Sequence, residues 1–141
     1  MSTRQDSGGR SRIFSVPIRD MARQMKQGEG WRVGWNPDAS VFCGLIGGSD
    51  WALELTQAEL DDVCRLSHQL AETMRAMALE LMDEERICCE LESDLVWLEA
   101  EGYATSFGLR VLLLTGRGAE GAWDAAVVPE VLYALQTLRV F

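Results

Sequence analysis

A long capped amphipathic segment in the middle of the chain constrains the fold more than any other feature. Thr56 is followed three residues later by Glu59. This is the spacing of a capping box, in which the Thr hydroxyl and the Glu carboxylate each satisfy a backbone N–H that a helix start leaves unpaired. Beyond it Leu60, Val63, Cys64, Leu70, Ala71, Met74, Met77, Ala78 and Leu81 recur mostly three and four positions apart. The spacing predicts a helix of about seven turns with one apolar stripe, which must lie on a sheet or a second helix. Met74, Met77 and Met82 are read as part of that buried stripe rather than as an adaptable binding surface.

The segments on either side read as strands. Trp31 to Trp35 alternates and stops at Asn36-Pro37, Val41 to Ile46 is a short apolar run closed by Gly47-Gly48, and Trp51, Leu53 and Leu55 share one face of a third strand. After Asp83-Glu84-Glu85-Arg86 the alternation returns. Ile87, Cys89 and Leu91 oppose Cys88, Glu90 and Glu92, and Ser93-Asp94 turns the chain into Leu95 to Glu101, where Val96, Leu98 and Ala100 oppose Trp97, Glu99 and Glu101. Phe107 to Leu114 reads as a strand buried on much of both faces. Gly116, Gly118 and Gly121 mark a loop to Trp123, and Val127 to Leu138 reads as a closing helix with Pro129 in its first turn. Three strands and a helix, then three or four strands and a helix, make an α+β domain of antiparallel sheets with two helices.

With 141 residues and 48% hydrophobic content the chain suits one core. Its charge is unevenly divided. Met1 to Glu29 holds six basic and three acidic residues, whereas Gly30 to Phe141 holds seven and nineteen. Residues 1–29 are therefore read as a flexible basic tail, with a short helix from Pro17 to Met25 as the alternative, and 30–141 as a single domain. An acidic body repels phosphate backbones and anionic membranes, so a basic partner is the easier expectation. No apolar run approaches a membrane span and the first residues lack a secretory signal, so the chain is expected in the cytoplasm. Cys43, Cys64, Cys88 and Cys89 show no zinc-type spacing and are read as free thiols.

Four stretches carry a family resemblance: Gly30-Trp31-Arg32-Val33-Gly34-Trp35-Asn36-Pro37, the run from Gly44 to Thr56, Leu81 to Arg86, and Trp97-Leu98-Glu99-Ala100-Glu101-Gly102. Together they resemble a cyanobacterial family known as domain of unknown function 1818, over roughly Gly30 to Leu138. The resemblance implies the fold type of the single-stranded-DNA-binding transcriptional regulators, the whirly proteins and the positive-cofactor-four coactivator. It supplies no catalytic residues and no cofactor.

That fold type invites a nucleic-acid site in which Arg10, Arg12, Trp31, Arg32, Trp35, Arg110 and Arg117 are the candidate contacts, the tryptophans stacking on bases and the arginines meeting phosphates. Glu54, Glu90, Glu92, Glu99 and Glu101 on the intervening strands oppose it, because phosphate neutralisation drives such binding. The lysine-rich strand motif of the whirly proteins is not in this sequence. Strand tryptophans filling a core are the plainer reading.

Enzymatic chemistry has weaker support. His68 is the only histidine, and Ser67 beside it points elsewhere on a helix. Cys88 and Cys89 are expected on opposite sides of a strand. Glu90, Glu92, Glu99 and Glu101 are expected on one face, where they form a candidate interaction surface or, less simply, oxygen ligands for Mg²⁺ or Ca²⁺. The sequence points to a non-enzymatic protein that uses this acidic face to bind another protein with a basic surface. No cofactor is implied, homo-oligomerisation stays open, and single-stranded nucleic-acid binding aided by the basic tail is the alternative.

Overall fold

The computed structural model describes residues 23–80, 85–114 and 116–138. Its first unit is four antiparallel strands in sequence order, β1 (Gln24–Gly28), β2 (Trp31–Trp35), β3 (Gly44–Gly48) and β4 (Ala52–Leu55). Helix α1 (Gln57–Ala78) follows. The second unit repeats the plan with β5 (Arg86–Glu92), β6 (Val96–Tyr103), β7 (Ser106–Leu113) and β8 (Glu120–Trp123), closed by α2 (Val128–Thr137). The α+β architecture with antiparallel sheets and two helices is as the sequence predicts. Among the described residues no helix is long and apolar enough to cross a membrane.

The capping box forms as expected. Glu59 N donates to Thr56 Oγ1 at 3.2 Å and Thr56 N donates to Glu59 Oε1 at 2.9 Å. Thr56→Ala is expected to lower stability by about 1 kcal/mol with the helix still formed. A denaturant titration reads this as a lower midpoint at unchanged slope. The helix is 22 residues long, nearer six turns than seven, and Leu81 and Met82 lie outside the described residues.

Leu60, Val63, Leu66, Leu70 and Met74 place the α1 stripe against strands of both sheets, and α2 adds Val128, Val131 and Leu135 to the same core. Trp31, Val33, Ile46 and Leu55 come from the first sheet, and Val96, Leu98, Leu109, Val111, Leu113 and Trp123 from the second. One continuous core therefore joins the two halves.

Three boundaries differ from expectation. Lys26, Gln27 and their neighbours are not tail but β1, paired in register with β2 from Gln24↔Trp35 to Gly28↔Trp31. The domain thus begins by residue 24 rather than 30. Lys26 explains how a polar strand is held: its ammonium reaches α2 and donates to Thr137 Oγ1 at 2.7 Å. The alternative helix from Pro17 to Met25 is also corrected at its end, since Gln24 and Met25 are strand; Arg10, Arg12 and the rest of residues 1–22 lie outside the described residues. The second strand starts at Gly44 rather than Val41, because Val41 and Phe42 are exposed loop residues.

The halves meet through two tryptophans. Trp123 Nε1 donates to Gly47 O of β3 at 2.8 Å, while Trp51 Nε1 donates to Ala122 O of β8 at 3.0 Å. Their rings lie 5.2 Å apart and tilted by 53°. A Cβ at Gly121 would stand 2.3 Å from the Trp51 ring, so the approach requires glycine there.

Candidate functional site

Strand alternation sets the acidic face. In β5 the inward positions are Ile87, Cys89 and Leu91, which leaves Arg86, Cys88, Glu90 and Glu92 outward. In β6 the inward Val96, Leu98 and Ala100 leave Trp97, Glu99, Glu101 and Tyr103 outward. The register puts Glu90 directly opposite Glu99 and Cys88 opposite Glu101, so all four predicted carboxylates share one face.

The face is not uniformly acidic, which corrects the expectation. Arg86 reaches diagonally across β5–β6 and its Nη2 stands 2.5 Å from Glu101 Oε2, with the guanidinium 5.2 Å from the Tyr103 ring centroid. The bond to Glu101 raises the Arg86 pKa above its ordinary value. Arg110 of β7 stands opposite Glu99, 3.6 Å from it and 3.3 Å from Glu120, and 5.4 Å from the Trp97 ring centroid. Glu90 accepts the Trp97 indole N–H at 3.0 Å. Two arginines thus face five carboxylates, and Glu92 alone among those five has no polar partner among the described residues.

Cys88 sits within this cluster. Its thiol donates to Glu99 Oε2 at 3.1 Å, and that bond, with some desolvation and the nearby Glu99, Glu90 and Glu101 charges, pushes its pKa up to about 11. Cys88, Glu90 and Glu99 offer ligand atoms within 4.8 Å of one another, the one such group among the described residues. Glu92 and Glu101 are not in the group, so the four carboxylates of the less favoured oxygen-ligand reading do not converge on one point. Cys88 and Cys89 face opposite sides, and all four cysteines are free.

The candidate nucleic-acid contacts do not come together. Trp31 is 8% exposed and points inward, its indole donating to Glu130 Oε1 of α2 at 2.7 Å. Trp35 also faces inward and donates to Gln57 Oε1 at 2.8 Å. Trp31 is buried, and Trp35 is partly exposed and packed on the core. Arg32 faces out from the first sheet and Arg110 from the second. Arg117 is held in the β7–β8 loop by Glu59, 3.1 Å away, by the Glu54 carbonyl and by the Phe42 ring. Its role is to fasten that loop to the start of α1, and the sequence offered no spacing that pairs residues 58 positions apart. His68 is exposed on α1.

A family model described as Domain of unknown function (DUF1818) matches residues 26–138. Among solved structures, a protein of unknown function from the DUF155 family of Prochlorococcus sp. NATL2A superposes with a TM-score of 0.77 at 30% identity. The match covers 82% of this chain and 98% of that one. No curated protein matches the chain.

Proposed function

The chain belongs to the family described as Domain of unknown function (DUF1818), and from that premise we propose that it is a non-enzymatic binding domain. Its outer β5–β6–β7 face takes a protein segment with a basic surface. The observation that carries this reading is that Glu90 and Glu92 stand outward on β5 with no arginine on either among the described residues, beside Glu99 and Glu101, which Arg110 and Arg86 already meet. Glu90 lies directly opposite Glu99, a like-charge pair that costs a sheet stability and that Arg110 offsets only from the Glu99 side. Trp97 and Tyr103 add the aromatic surface common at protein interfaces. Arg86 and Arg110 are already engaged, so Glu92 and Glu90 are the groups a basic partner meets first. A cytoplasmic location belongs to this proposal, and free thiols accord with it.

A single-stranded nucleic-acid function on a whirly-type fold is the second reading. The repeated plan of four antiparallel strands leading into a helix favours it. The inward tryptophans and the carboxylate excess on the second sheet work against it.

Titration of the full chain with oligolysine and with oligo-dT separates the two. Oligolysine is expected to bind with an affinity that falls as salt rises. The Glu90→Lys/Glu92→Lys double variant, folded by circular dichroism, is expected to bind it about tenfold more weakly, the equivalent of 1.4 kcal/mol. Salt-independent oligolysine binding, or none, would sink the first reading. Sub-micromolar oligo-dT binding that ignores the double substitution would install the second.

A further inference from the structure

The two helices leave a cleft that the sheet-face proposal does not use. On α1, His68, Ala71, Arg75 and Ala78 fall on one line of the helix at spacings of three and four. They look across at Pro129, Leu132, Tyr133 and Gln136 of α2. The helices close on each other at one end, where Gln136 Nε2 and His68 Nδ1 are 2.6 Å apart. Towards Ala78 the small side chains leave space, and Phe107 and the β6–β7 turn form the floor. The cleft measures about 500 Å³, a volume ordinary for small-molecule sites.

Its lining differs in charge from the outer sheet face, and the nearest carboxylate, Glu72, stands beside it, 2.6 Å from Arg75 and 3.9 Å from His68. The chain carries a net charge of −9, yet no carboxylate lines this cleft. Every polar side chain that does is a hydrogen-bond donor or can act as one: Arg75, His68, Tyr133, Gln136, Thr105 and Ser106. Arg75 leans on Glu72 just outside the cleft, at 2.6 Å through Nη1, which leaves its other N–H groups to a ligand. Glu72 is itself held below the usual carboxylate range, first by its hydrogen bond to Arg75. Apolar walls with a rim that can donate and holds no carboxylate suit a molecule that is mostly apolar and ends in an anionic group.

We infer that the cleft between α1 and α2 binds a small apolar acid, its hydrocarbon body between Ala71, Ala78 and Leu132 and its anionic end at Arg75. Glu72 competes with that anion for the guanidinium and so tempers the affinity.

The probe is anilinonaphthalene sulfonate, an apolar ring system with one negative charge, titrated into the full chain and followed by fluorescence. One saturable site is expected, displaced by naphthoate. Arg75→Ala is expected to weaken binding about fivefold, in line with the loss of an exposed charge pair. Glu72→Gln tightens it, and Ala71→Trp, which fills the cleft, abolishes it. Arg75 and Glu72 are exposed, so these variants keep the fold and the test does not depend on the bulkier one. Equal affinity for the uncharged dye lacking the sulfonate, no saturable binding, or indifference to both Arg75→Ala and Ala71→Trp would overturn the inference. So would a dimer in solution that Ala71→Trp splits, since the cleft would then belong to a second copy. None of these outcomes touches the oligolysine result, so the two proposals fail separately.

Discussion

Trp123→Ala is expected to destabilise the domain by about 3–5 kcal/mol, the range for removing a buried large aromatic. The side chain is 3% exposed, packs on Trp51 and donates to Gly47 O. Its loss opens a cavity at the junction of the two sheets and leaves the Gly47 carbonyl without its indole donor. Trp123→Phe keeps most of the ring and isolates that hydrogen bond, so it is expected to cost about 1–3 kcal/mol. Trp51→Ala is expected to cost less than Trp123→Ala because Trp51 is only half-buried. Chemical denaturation of the three variants gives the order. A Trp123→Ala midpoint close to that of the wild type would mean that the halves are not joined as described.

The second large effect is chemical. Although Cys88 is exposed, its thiol titrates at about 11 against an ordinary 9.0, chiefly because it donates to Glu99. The thiolate is the reactive form, so at pH 8 iodoacetamide is expected to alkylate Cys88 about a hundredfold more slowly than an unhindered thiol. The sign follows from the direction of the shift. Below pH 11 the rate climbs about tenfold per pH unit, because the thiolate fraction does, and it levels off above. Glu99→Gln removes the largest cause and is expected to restore much of the reactivity at pH 8. Peptide mapping by mass spectrometry distinguishes Cys88 from the other three cysteines. Rapid labelling of Cys88 in the unaltered chain would contradict the Cys88–Glu99 contact. A basic partner seated on this face should shield the same thiol, which makes the labelling a footprint for the proposed interface.

Much of this architecture is legible in the sequence where local signals and burial agree. The Thr56–Glu59 cap, the α1 stripe and the alternation of Ile87, Cys89 and Leu91 each state their structure within a few residues. β1 is not legible because Gln24, Lys26 and Gln27 look like tail; an edge strand needs few apolar residues when a lysine stem and a hairpin partner hold it. β3 is displaced because its glycines have poor strand propensity, while the apolar Val41 and Phe42 that suggest a strand are exposed. The acidic face is visible as alternation, but its neutralisation is not. Glu99 meets Arg110 only once the β6–β7 register is set, and Arg86 meets Glu101 only across a diagonal. The α1–α2 cleft is hidden for a similar reason, since it depends on how two separated helices converge.

The strand order β1-β2-β3-β4 and β5-β6-β7-β8 also orders events in time. Each sheet grows by closing successive hairpins, which loses little loop entropy and is quick. Contacts such as Trp123 to Gly47, Trp31 to Glu130 and Lys26 to Thr137 close loops of 76, 99 and 111 positions. They are the last to be rewarded. Each sheet is built from local hairpins, but its apolar face is covered only when the two halves and the helices share one core. The tryptophan exchange closes the shortest of these three loops, so by this measure it precedes the contacts that tie β1 and β2 to α2, and the polar edge strand is the last piece fastened.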